Sequence, residues 1–374
     1  MKIAVIAASQ VPFSTANSIQ VMKVCQALVQ LGHTVCLYVP GDQTASWDAL
    51  GAHYGLSNAF DVRWLHCPLV WRRYDLAWLA LREARSWGAS LVYTWMLQAA
   101  VLAQWKKIPV IMEMHMLPTG LLGPILFRNF VHGSGKKRIL IITRALQDIL
   151  EENFDFKFSL CEVQIAPMGC EPERYAGLPA PAEARNLLHL PQGVTVGYTG
   201  HLYPGRGMDI LVGLARHFPG TNFLWVGGRR VDIVFWQDRL HQEGLNNIHL
   251  TGFIENQYIP LYQAAADLLV MPYQEQVGVS SGGDTSSICS PMKMFEYLAA
   301  GRPILSSDLP VLHEVLNDKN AVFCPPNDPE KWQIALGGLL EDEIKRSKLS
   351  EQARADALQY SWHDRTSRAL EDFL

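Results

Sequence analysis

The chain has 374 residues, of which 49% are hydrophobic and 18% are charged, and its formal net charge is −4. This composition is that of a folded globular protein, and the length exceeds what one hydrophobic core usually serves, so two domains are expected. Without an overall positive charge, nucleic acid is not an expected partner, and an anionic ligand requires local cationic groups. The seven cysteines have no metal-binding spacing, so we expect reduced thiols and no metal site.

The first predicted elements are a strand, a helix and a second strand. Residues 3–8 form a continuous apolar run, apolar residues then recur at helical spacing up to Gly32, and the second strand is predicted at 34–40. This unit indicates a doubly wound α/β domain, in which ligands bind at the carboxyl ends of parallel strands. Further strands of this domain are predicted at 90–95, 110–115 and 138–143.

The second half of the chain repeats the same architecture. Its predicted strands lie at 194–200, 222–228, 247–253, 268–273, 302–308 and 321–326. A stretch rich in proline and glycine separates the two sets. We therefore predict an N-terminal domain at 1–168, an interdomain linker without helix or strand at 169–190, and a second domain at 191–357. The Gly/Ser-rich residues 274–290 are interpreted as a mobile lid, with a slack surface insertion as the alternative.

Two segments bear on location. Residues 121–131, followed by Lys136, Lys137 and Arg138, could form an apolar and basic surface for a lipid-linked acceptor or a membrane. The alternative is a core helix followed by solvated charges. The N-terminus has no signal-peptide pattern and no apolar run reaches membrane-spanning length. We therefore expect a cytoplasmic protein, and peripheral contact with the inner face of a membrane is left open.

The sequence SPMKMFEYLAAGRPIL predicts a helix that begins at an anion site. Ser290 is a suitable N-cap and Pro291 a suitable first helical residue, so the next backbone N–H groups would point outward at the positive helix end. Those groups belong to Met292 and Lys293, and the Lys293 side chain adds a full charge. Glu296 lies one turn deeper on the same face, where it could accept hydrogen bonds from ribose hydroxyls. An ordinary capped helix is the alternative.

A glycine-rich loop follows the strand at 194–200. It contains Gly200, His201, Arg206 and Gly207. Glycines let the backbone approach a diphosphate closely, and the forked arginine cation suits two phosphate oxygens. One such loop is weak evidence. Together with the helix start after Ser290, it predicts a diphosphate site in the second domain.

The ordered motifs YTGHLYPGRG, FLWVGG, IHLTGF, SPMKMFEYLAAGRPILSSD and VFCPPNDP resemble the donor-binding half of glycosyltransferase family 4, the retaining enzymes of the GT-B fold. The N-terminal half is similar through TANSIQVMKVCQALVQLGHTV and IPVIMEMHMLP. The last segment, about 358–374, resembles the terminal helix that returns to the first domain. The resemblance implies an α/β protein with two doubly wound Rossmann-like domains that face each other across a cleft.

The resemblance also implies the roles of individual residues. The expected catalytic groups are His115, Arg206, Lys293 and Glu296, with Glu113 on the acceptor side. The family's Glu, seven residues, Glu pattern keeps its second member at Glu296, but the first falls on Ile288. For His115 a structural role at the strand end is the alternative, and for the loop at 15–18 a plain helix cap. The expected donor-binding positions are Thr15, Ala16, Asn17, Ser18, Gly200, His201, Gly207, Gly228, Phe253, Ile254, Ser290, Pro291 and Met292.

The implied activity is that of a retaining, metal-independent hexosyltransferase without a cofactor. It would transfer a sugar from a nucleoside diphosphate sugar, with UDP-sugar favoured and GDP-sugar as the other option. The acceptor would be a hydroxyl of a carbohydrate, a lipid or a small molecule. A catalytically inactive nucleotide-sugar-binding protein or subunit is the alternative, since Ile288 departs from the pattern. The oligomeric state is left open.

Overall fold

The structure is a computed structural model and describes residues 1–42, 44–68, 71, 73–276 and 284–373. Its contacts divide the chain into two compact units. One comprises Met1–Met168 together with Trp362–Leu374, and the other comprises Gly169–Ser361. The segment predicted as a lid is 274–290, and its residues 277–283 lie outside the described residues.

The first unit alternates strands and helices along the chain. Its strands are β1 (Lys2–Ile6), β2 (Thr34–Pro40), β3 (Asp61–Leu65), β4 (Leu91–Thr94), β5 (Val110–Met114), β6 (Lys137–Ile141) and β7 (Val163–Ile165). They pair in parallel in the order β3-β2-β1-β4-β5-β6-β7. The helices between them are α1 (Ala16–Gln30), α2 (Trp47–Tyr54), α3 (Tyr74–Trp87), α4 (Leu97–Trp105), α5 (Gly123–His132) and α6 (Arg144–Phe154).

The second unit repeats this arrangement. Its strands are β8 (Thr195–Thr199), β9 (Asn222–Val226), β10 (Ile248–Gly252), β11 (Leu268–Met271), β12 (Ile304–Ser307) and β13 (Ala321–Cys324), which pair in the order β10-β9-β8-β11-β12-β13. Its helices are α7 (Pro181–Leu187), α8 (Met208–His217), α9 (Arg230–Gln242), α10 (Ile259–Ala264), α11 (Met292–Ala300), α12 (Pro329–Glu341) and α13 (Glu343–Ala357). The last helix, α14 (Trp362–Leu370), groups with the first unit.

The central strands of both sheets are buried along nearly their whole length. In β1 and β2 every residue after the first is buried, and β8 and β11 are buried throughout. Parallel strands covered by helices on both faces require such continuous apolar runs. The α/β class expected from the sequence is therefore confirmed.

The segment 169–190, predicted as a linker without helix or strand, contains regular structure. It contains a short 3-10 helix at Pro172–Tyr175 and the helix α7. Pro181 is the first residue of α7, where its missing N–H costs no hydrogen bond. A proline that suggested a break in the sequence thus begins a helix.

The apolar segment predicted at 121–131 forms α5 and divides its side chains between core and surface. Phe127 and Phe130 are fully buried, whereas Leu121 and Ile125 are 89% and 55% exposed. Part of the segment is therefore core, as one alternative required. Across the described ranges, no helix combines the length and the apolarity that a membrane crossing needs.

The basic residues after α5 are not a solvated charge run. The Lys137 ammonium is buried and lies 2.9 Å from a Glu162 carboxylate oxygen. Arg138 donates to the carbonyl oxygen of Ala369 at 3.0 Å, at the carboxyl end of α14. A cation at this end of a helix satisfies carbonyl groups that have no partner within the helix. Two of the three basic residues therefore serve the packing of the first unit.

Candidate functional site

The anion site predicted at the start of α11 begins one residue later than expected. Pro291, rather than Ser290, is the N-cap residue, with φ −70° and ψ 127°, and α11 begins at Met292. Ser290 is buried and lies one residue before the N-cap. The extended ψ of Pro291 places the first helical turn at Met292 and Lys293. The backbone N–H groups of the first turn therefore still belong to the predicted residues.

Lys293 is a buried cation of the second unit. Its Nζ atom is buried and has no hydrogen-bond partner among the described residues. It lies 3.7 Å from the centre of the Tyr198 ring and 5.5 Å from that of Tyr273. Burial, and secondly the nearby charge of Arg206, hold the pKa of Lys293 well below its usual value. A buried cation without an acceptor is costly, and an anion at this position would remove the cost.

Arg206 shares this aromatic surface with Lys293. Its guanidinium carbon lies 4.8 Å from the centre of the Tyr273 ring. Tyr198 and Tyr273 are both buried; Tyr198 lies in β8, and Tyr273 follows the neighbouring strand β11. Rings of this kind attract cations electrostatically through their faces. The two predicted diphosphate cations are therefore held side by side over two tyrosines that the sequence analysis did not identify.

Two glycines leave room for other groups of this site, Gly200 for the Lys293 ammonium and Gly207 for the Pro272 carbonyl. A Cβ atom on Gly200 would lie 2.9 Å from the Lys293 Nζ atom, and one on Gly207 would lie 1.7 Å from the Pro272 carbonyl oxygen. Both residues have positive φ, at 132° and 75°. Their requirement for glycine therefore has two causes, backbone conformation and the absence of room for a side chain.

Glu296 lies one turn after Lys293 on α11, as predicted. Its Oε2 atom accepts a hydrogen bond of 3.3 Å from the Nε2 atom of Gln263, a buried residue of α10. Gln263 was not among the site residues predicted from the sequence. Its only sequence signal is a polar residue in the apolar stretch LYQAAADLLV. The structure therefore adds a neighbour to the carboxylate proposed to bind ribose.

The remaining predicted donor-side residues have varied surroundings. The His201 ring stacks on Tyr203, with ring centres 4.6 Å apart, while the His201 carbonyl accepts from the Tyr198 hydroxyl. Phe253 follows β10 and is 51% exposed. Ile254 packs against a small apolar cluster under β9. Gly228 has φ 93°, and a Cβ atom on it would lie 2.9 Å from the Leu202 Cδ1 atom.

In the first unit, His115 is placed by Glu113. The two residues lie at the end of β5, and the His115 Nε2 atom is 2.8 Å from the Glu113 Oε1 atom. Since an ionised carboxylate only accepts hydrogen bonds, this geometry puts a proton on Nε2, and Nδ1 is the ring nitrogen that is not bonded to Glu113. Gln20 of α1 contacts both residues. The predicted residue His115 is thus in a fixed orientation.

Glu113 was predicted on the acceptor side, but its side chain is buried within the first unit. Its side chain is fully buried, and both oxygens accept from Arg365 of α14, at 2.6 and 3.2 Å. The Tyr93 hydroxyl donates to Oε2 at 2.6 Å. Burial is the largest single effect on the pKa of Glu113 and raises it. Arg365 and His115 together outweigh burial and hold this pKa well below its usual range. Glu113 therefore orients His115 within the unit and does not face solvent.

The four predicted donor-binding positions at 15–18 form the start of α1, with Thr15 as its N-cap. Two of them, Thr15 and Ser18, are engaged in hydrogen bonds there. The Thr15 hydroxyl accepts from the backbone N–H of Ser18 at 3.5 Å. Ser18 is fully buried, and its hydroxyl donates to the Gln10 carbonyl at 3.0 Å. Ser18 is thus engaged within the first unit, in accordance with the cap alternative. Ala16 and Asn17 are exposed, and their role as an amide cradle stays a prediction.

Comparison with known proteins identifies the second unit. Residues 193–342 match the model of the family described as Glycosyl transferases group 1. A Bacillus subtilis glycosyltransferase named for teichuronic acid biosynthesis is 30% identical over 131 residues, which is 34% of this chain and 30% of that protein. A D-inositol 3-phosphate glycosyltransferase of Xylanimonas cellulosilytica is 26% identical over 225 residues, 57% of this chain and 51% of that protein. The chain thus matches a third to a half of the length of these relatives.

The whole fold is also found among solved structures. HepE of Anabaena, crystallised in complex with UDP, has a TM-score of 0.74 and 16% sequence identity, and the match covers 100% of this chain and 99% of that one. At this identity the likeness shows the fold alone. Residues 193–342 thus match the group 1 glycosyltransferase family, and the chain has the GT-B fold.

Proposed function

We propose that the chain is a retaining hexosyltransferase that uses a nucleoside diphosphate sugar, with UDP-sugar as the favoured donor. HepE has been crystallised with UDP and with UDP-glucose, and that observation supports the choice of base. The acceptor is a hydroxyl group of a carbohydrate, a lipid or a small molecule. We further propose a cytoplasmic location for the reaction.

The observation that carries this proposal is the buried ammonium group of Lys293. Its charge lies beside Arg206 and at the amino end of α11. A diphosphate at this position would receive two cationic side chains and the N–H groups of a helix start, which together form an established type of phosphate site. The repulsion between Lys293 and Arg206 would be relieved at the same time.

The same groups are suited to the bond-breaking step. The bond between the anomeric carbon and the donor phosphate oxygen breaks, and the acceptor oxygen forms its bond to that carbon on the same face of the sugar. The acceptor proton passes to the departing phosphate oxygen, so no protein nucleophile is required. Arg206 and Lys293 would stabilise the negative charge that develops on the nucleoside diphosphate, a role that a metal ion has in other enzymes.

On the acceptor side we propose that His115 contributes to turnover through its Nδ1 atom. Glu113 fixes the ring but is buried, so it does not act as the nucleophile. Ile288, in the position of the family's first Glu, is also buried and is 7% exposed. This isoleucine supports the alternative proposal of a nucleotide-sugar-binding protein without catalysis.

Calorimetric titration with UDP and GDP tests the donor site. UDP should bind the wild-type chain, and Lys293→Met should weaken binding by about ten- to a hundredfold, because one charge-assisted hydrogen bond is worth about 1.5–3 kcal/mol. Lys331→Met, an exposed lysine of the same unit, is the matched control and should bind as the wild type does. Equal affinities in both variants would remove Lys293 from the diphosphate site.

Turnover separates the two candidate functions. The enzyme should release UDP from a UDP-sugar at a rate that rises when an acceptor from a hydroxyl-compound panel is added. Donor binding together with no acceptor-dependent release would favour the non-catalytic alternative.

A further inference from the structure

Gln263 is a fully buried polar residue beside the proposed ribose carboxylate. Its side chain, on α10, has no exposed surface. The Nε2 atom donates to the Thr199 hydroxyl at 3.1 Å and to the Glu296 Oε2 atom at 3.3 Å. The Oε1 atom accepts from the Tyr175 hydroxyl at 2.8 Å. This amide therefore joins four elements of the second unit at one point.

The groups around Gln263 decide which way its amide faces. Burial, and secondly the charge of Glu296, raise the pKa of Tyr175 well above its usual value, so the phenol keeps its proton and can donate to the Gln263 oxygen. The Glu296 carboxylate only accepts hydrogen bonds, so the amide nitrogen must face Glu296. If the amide were reversed, its oxygen would meet the carboxylate and neither group could donate.

Thr199 supports the same orientation from the opposite side. Its backbone N–H donates to the Tyr297 hydroxyl at 2.8 Å, and its own hydroxyl donates to the same oxygen at 3.4 Å. The Thr199 oxygen is thereby left to accept from the Gln263 nitrogen. The hydrogen bonds around Gln263 thus agree on one arrangement, in which an N–H group points at Glu296.

An N–H group on one carboxylate oxygen fixes the rotation of the Glu296 carboxylate. A carboxylate can accept from two neighbouring hydroxyl groups only when its plane is correctly turned toward them. Holding such a group in a productive orientation usually depends on residues behind it that make no contact with the ligand. Gln263 is in this position relative to Glu296.

We propose that Gln263 is a positioning residue for ribose recognition, that it acts by orienting Glu296, and that Tyr175 orients Gln263 in turn. The inference rests on the proposed function, in which Glu296 binds the ribose hydroxyls. It assigns a functional role to Tyr175, which belongs to the segment expected from sequence to be an unstructured linker.

The test is the ratio of two dissociation constants, those for 2′-deoxyuridine 5′-diphosphate and for UDP, measured by calorimetry on the full chain. In the wild type the ratio should be about ten to a hundred, the value of a hydrogen bond between a hydroxyl and a carboxylate. Glu296→Gln should bring it below about three. Gln263→Leu should lower the wild-type ratio about three- to tenfold, and Tyr175→Phe should lower it in the same direction.

Gln242→Leu is the matched control, because Gln242 is an exposed glutamine of the same unit, and it should keep the wild-type ratio. A purely structural role of Gln263 would weaken both nucleotides equally and leave the ratio unchanged, which would overturn the inference. If Gln263→Leu does not fold, Tyr175→Phe decides, since it removes a single hydroxyl group. An unchanged ratio in Tyr175→Phe would then count against the inference.

The failure of the proposed function has a different signature. If the wild-type chain binds both nucleotides equally, or if Glu296→Gln keeps the wild-type ratio, Glu296 does not recognise ribose. If Glu296→Gln collapses the ratio and Gln263→Leu preserves it, the ribose role stands and the positioning role of Gln263 is refuted.

Discussion

Replacement of Arg365 by methionine would remove the cation that faces Glu113 inside the first unit. The Arg365 side chain is 2% exposed and the Glu113 side chain is fully buried. The guanidinium also donates to the carbonyl oxygens of Pro167 and Ala166, at 2.6 and 2.9 Å. The substitution therefore leaves a buried carboxylate without its charge partner and two carbonyl groups without a donor.

Removal of one member of a buried ion pair typically costs about 3–5 kcal/mol of unfolding free energy. The hydroxyl of Tyr93 and the ring of His115 still donate to Glu113 after the change, so we expect the lower end, about 3 kcal/mol. Methionine is unbranched and fills much of the volume of the arginine stem, which keeps the loss of packing small.

Urea titrations followed by tryptophan fluorescence and far-UV circular dichroism measure this loss. Arg368→Met, on the exposed face of the same helix, is the control and should change the free energy of unfolding by no more than about 0.5 kcal/mol. Adding Glu113→Gln to Arg365→Met should recover at least about 1 kcal/mol, because the buried charge is then gone. A loss below about 1 kcal/mol for Arg365→Met, or no recovery in the double variant, would refute the buried-pair argument.

Other predictions concern both units. Gly207→Ala should abolish tight UDP binding and lower Tm, because its Cβ would lie 1.7 Å from the Pro272 carbonyl; binding and melting like the wild type would contradict this. His115→Ala should reduce kcat more than it raises the donor KM. An unchanged kcat would mean that His115 has only a structural role at the end of the strand. UDP binding should take up protons at pH values between the lowered pKa of Lys293 in the free protein and the usual lysine pKa, since the diphosphate raises that lowered pKa; equal calorimetric heats in buffers of different ionisation enthalpy would exclude such uptake. Because the pKa of Glu113 is lowered on folding, the stability from its ion pair should be complete above about pH 4.5 and decline as the pH falls below it. If the double variant Glu113→Gln, Arg365→Met loses stability in acid as the wild type does, the ion pair is not the cause of that loss.

The sequence predicted the interior of both sheets and missed strands at the edge of the first. Continuous apolar runs predicted β1, β2, β8 and β11 within a few residues, because a strand buried on both faces allows little else. The strand β3 is intermediate or exposed at every position and, among the described strands, lies at the sheet edge beside β2; β7 has three residues. These two edge strands carry no continuous apolar run, so hydrophobic periodicity does not reveal them.

Residues that act through local chain geometry could be identified from sequence, whereas those that act through tertiary contacts could not. The pairing of Lys293 with a helix start is a matter of neighbouring residues, and it was predicted. The contact between Glu113 and Arg365 joins positions 252 residues apart. Nothing in the local pattern around either residue indicates the other. Gln263 has the same limitation, since its neighbours come from separate elements.

The tyrosines under Lys293 and Arg206 explain why two like charges can be held together in a folded protein. Each ring face attracts a cation by about 0.5–2 kcal/mol, which only partly offsets the burial of a charge. The lowered pKa of Lys293 shows that the compensation is incomplete before an anion binds. The site is therefore organised around charges that a ligand completes. Since Tyr198 lies in β8 and Tyr273 follows β11, and these two strands are adjacent in the sheet, the fold itself brings the two rings together.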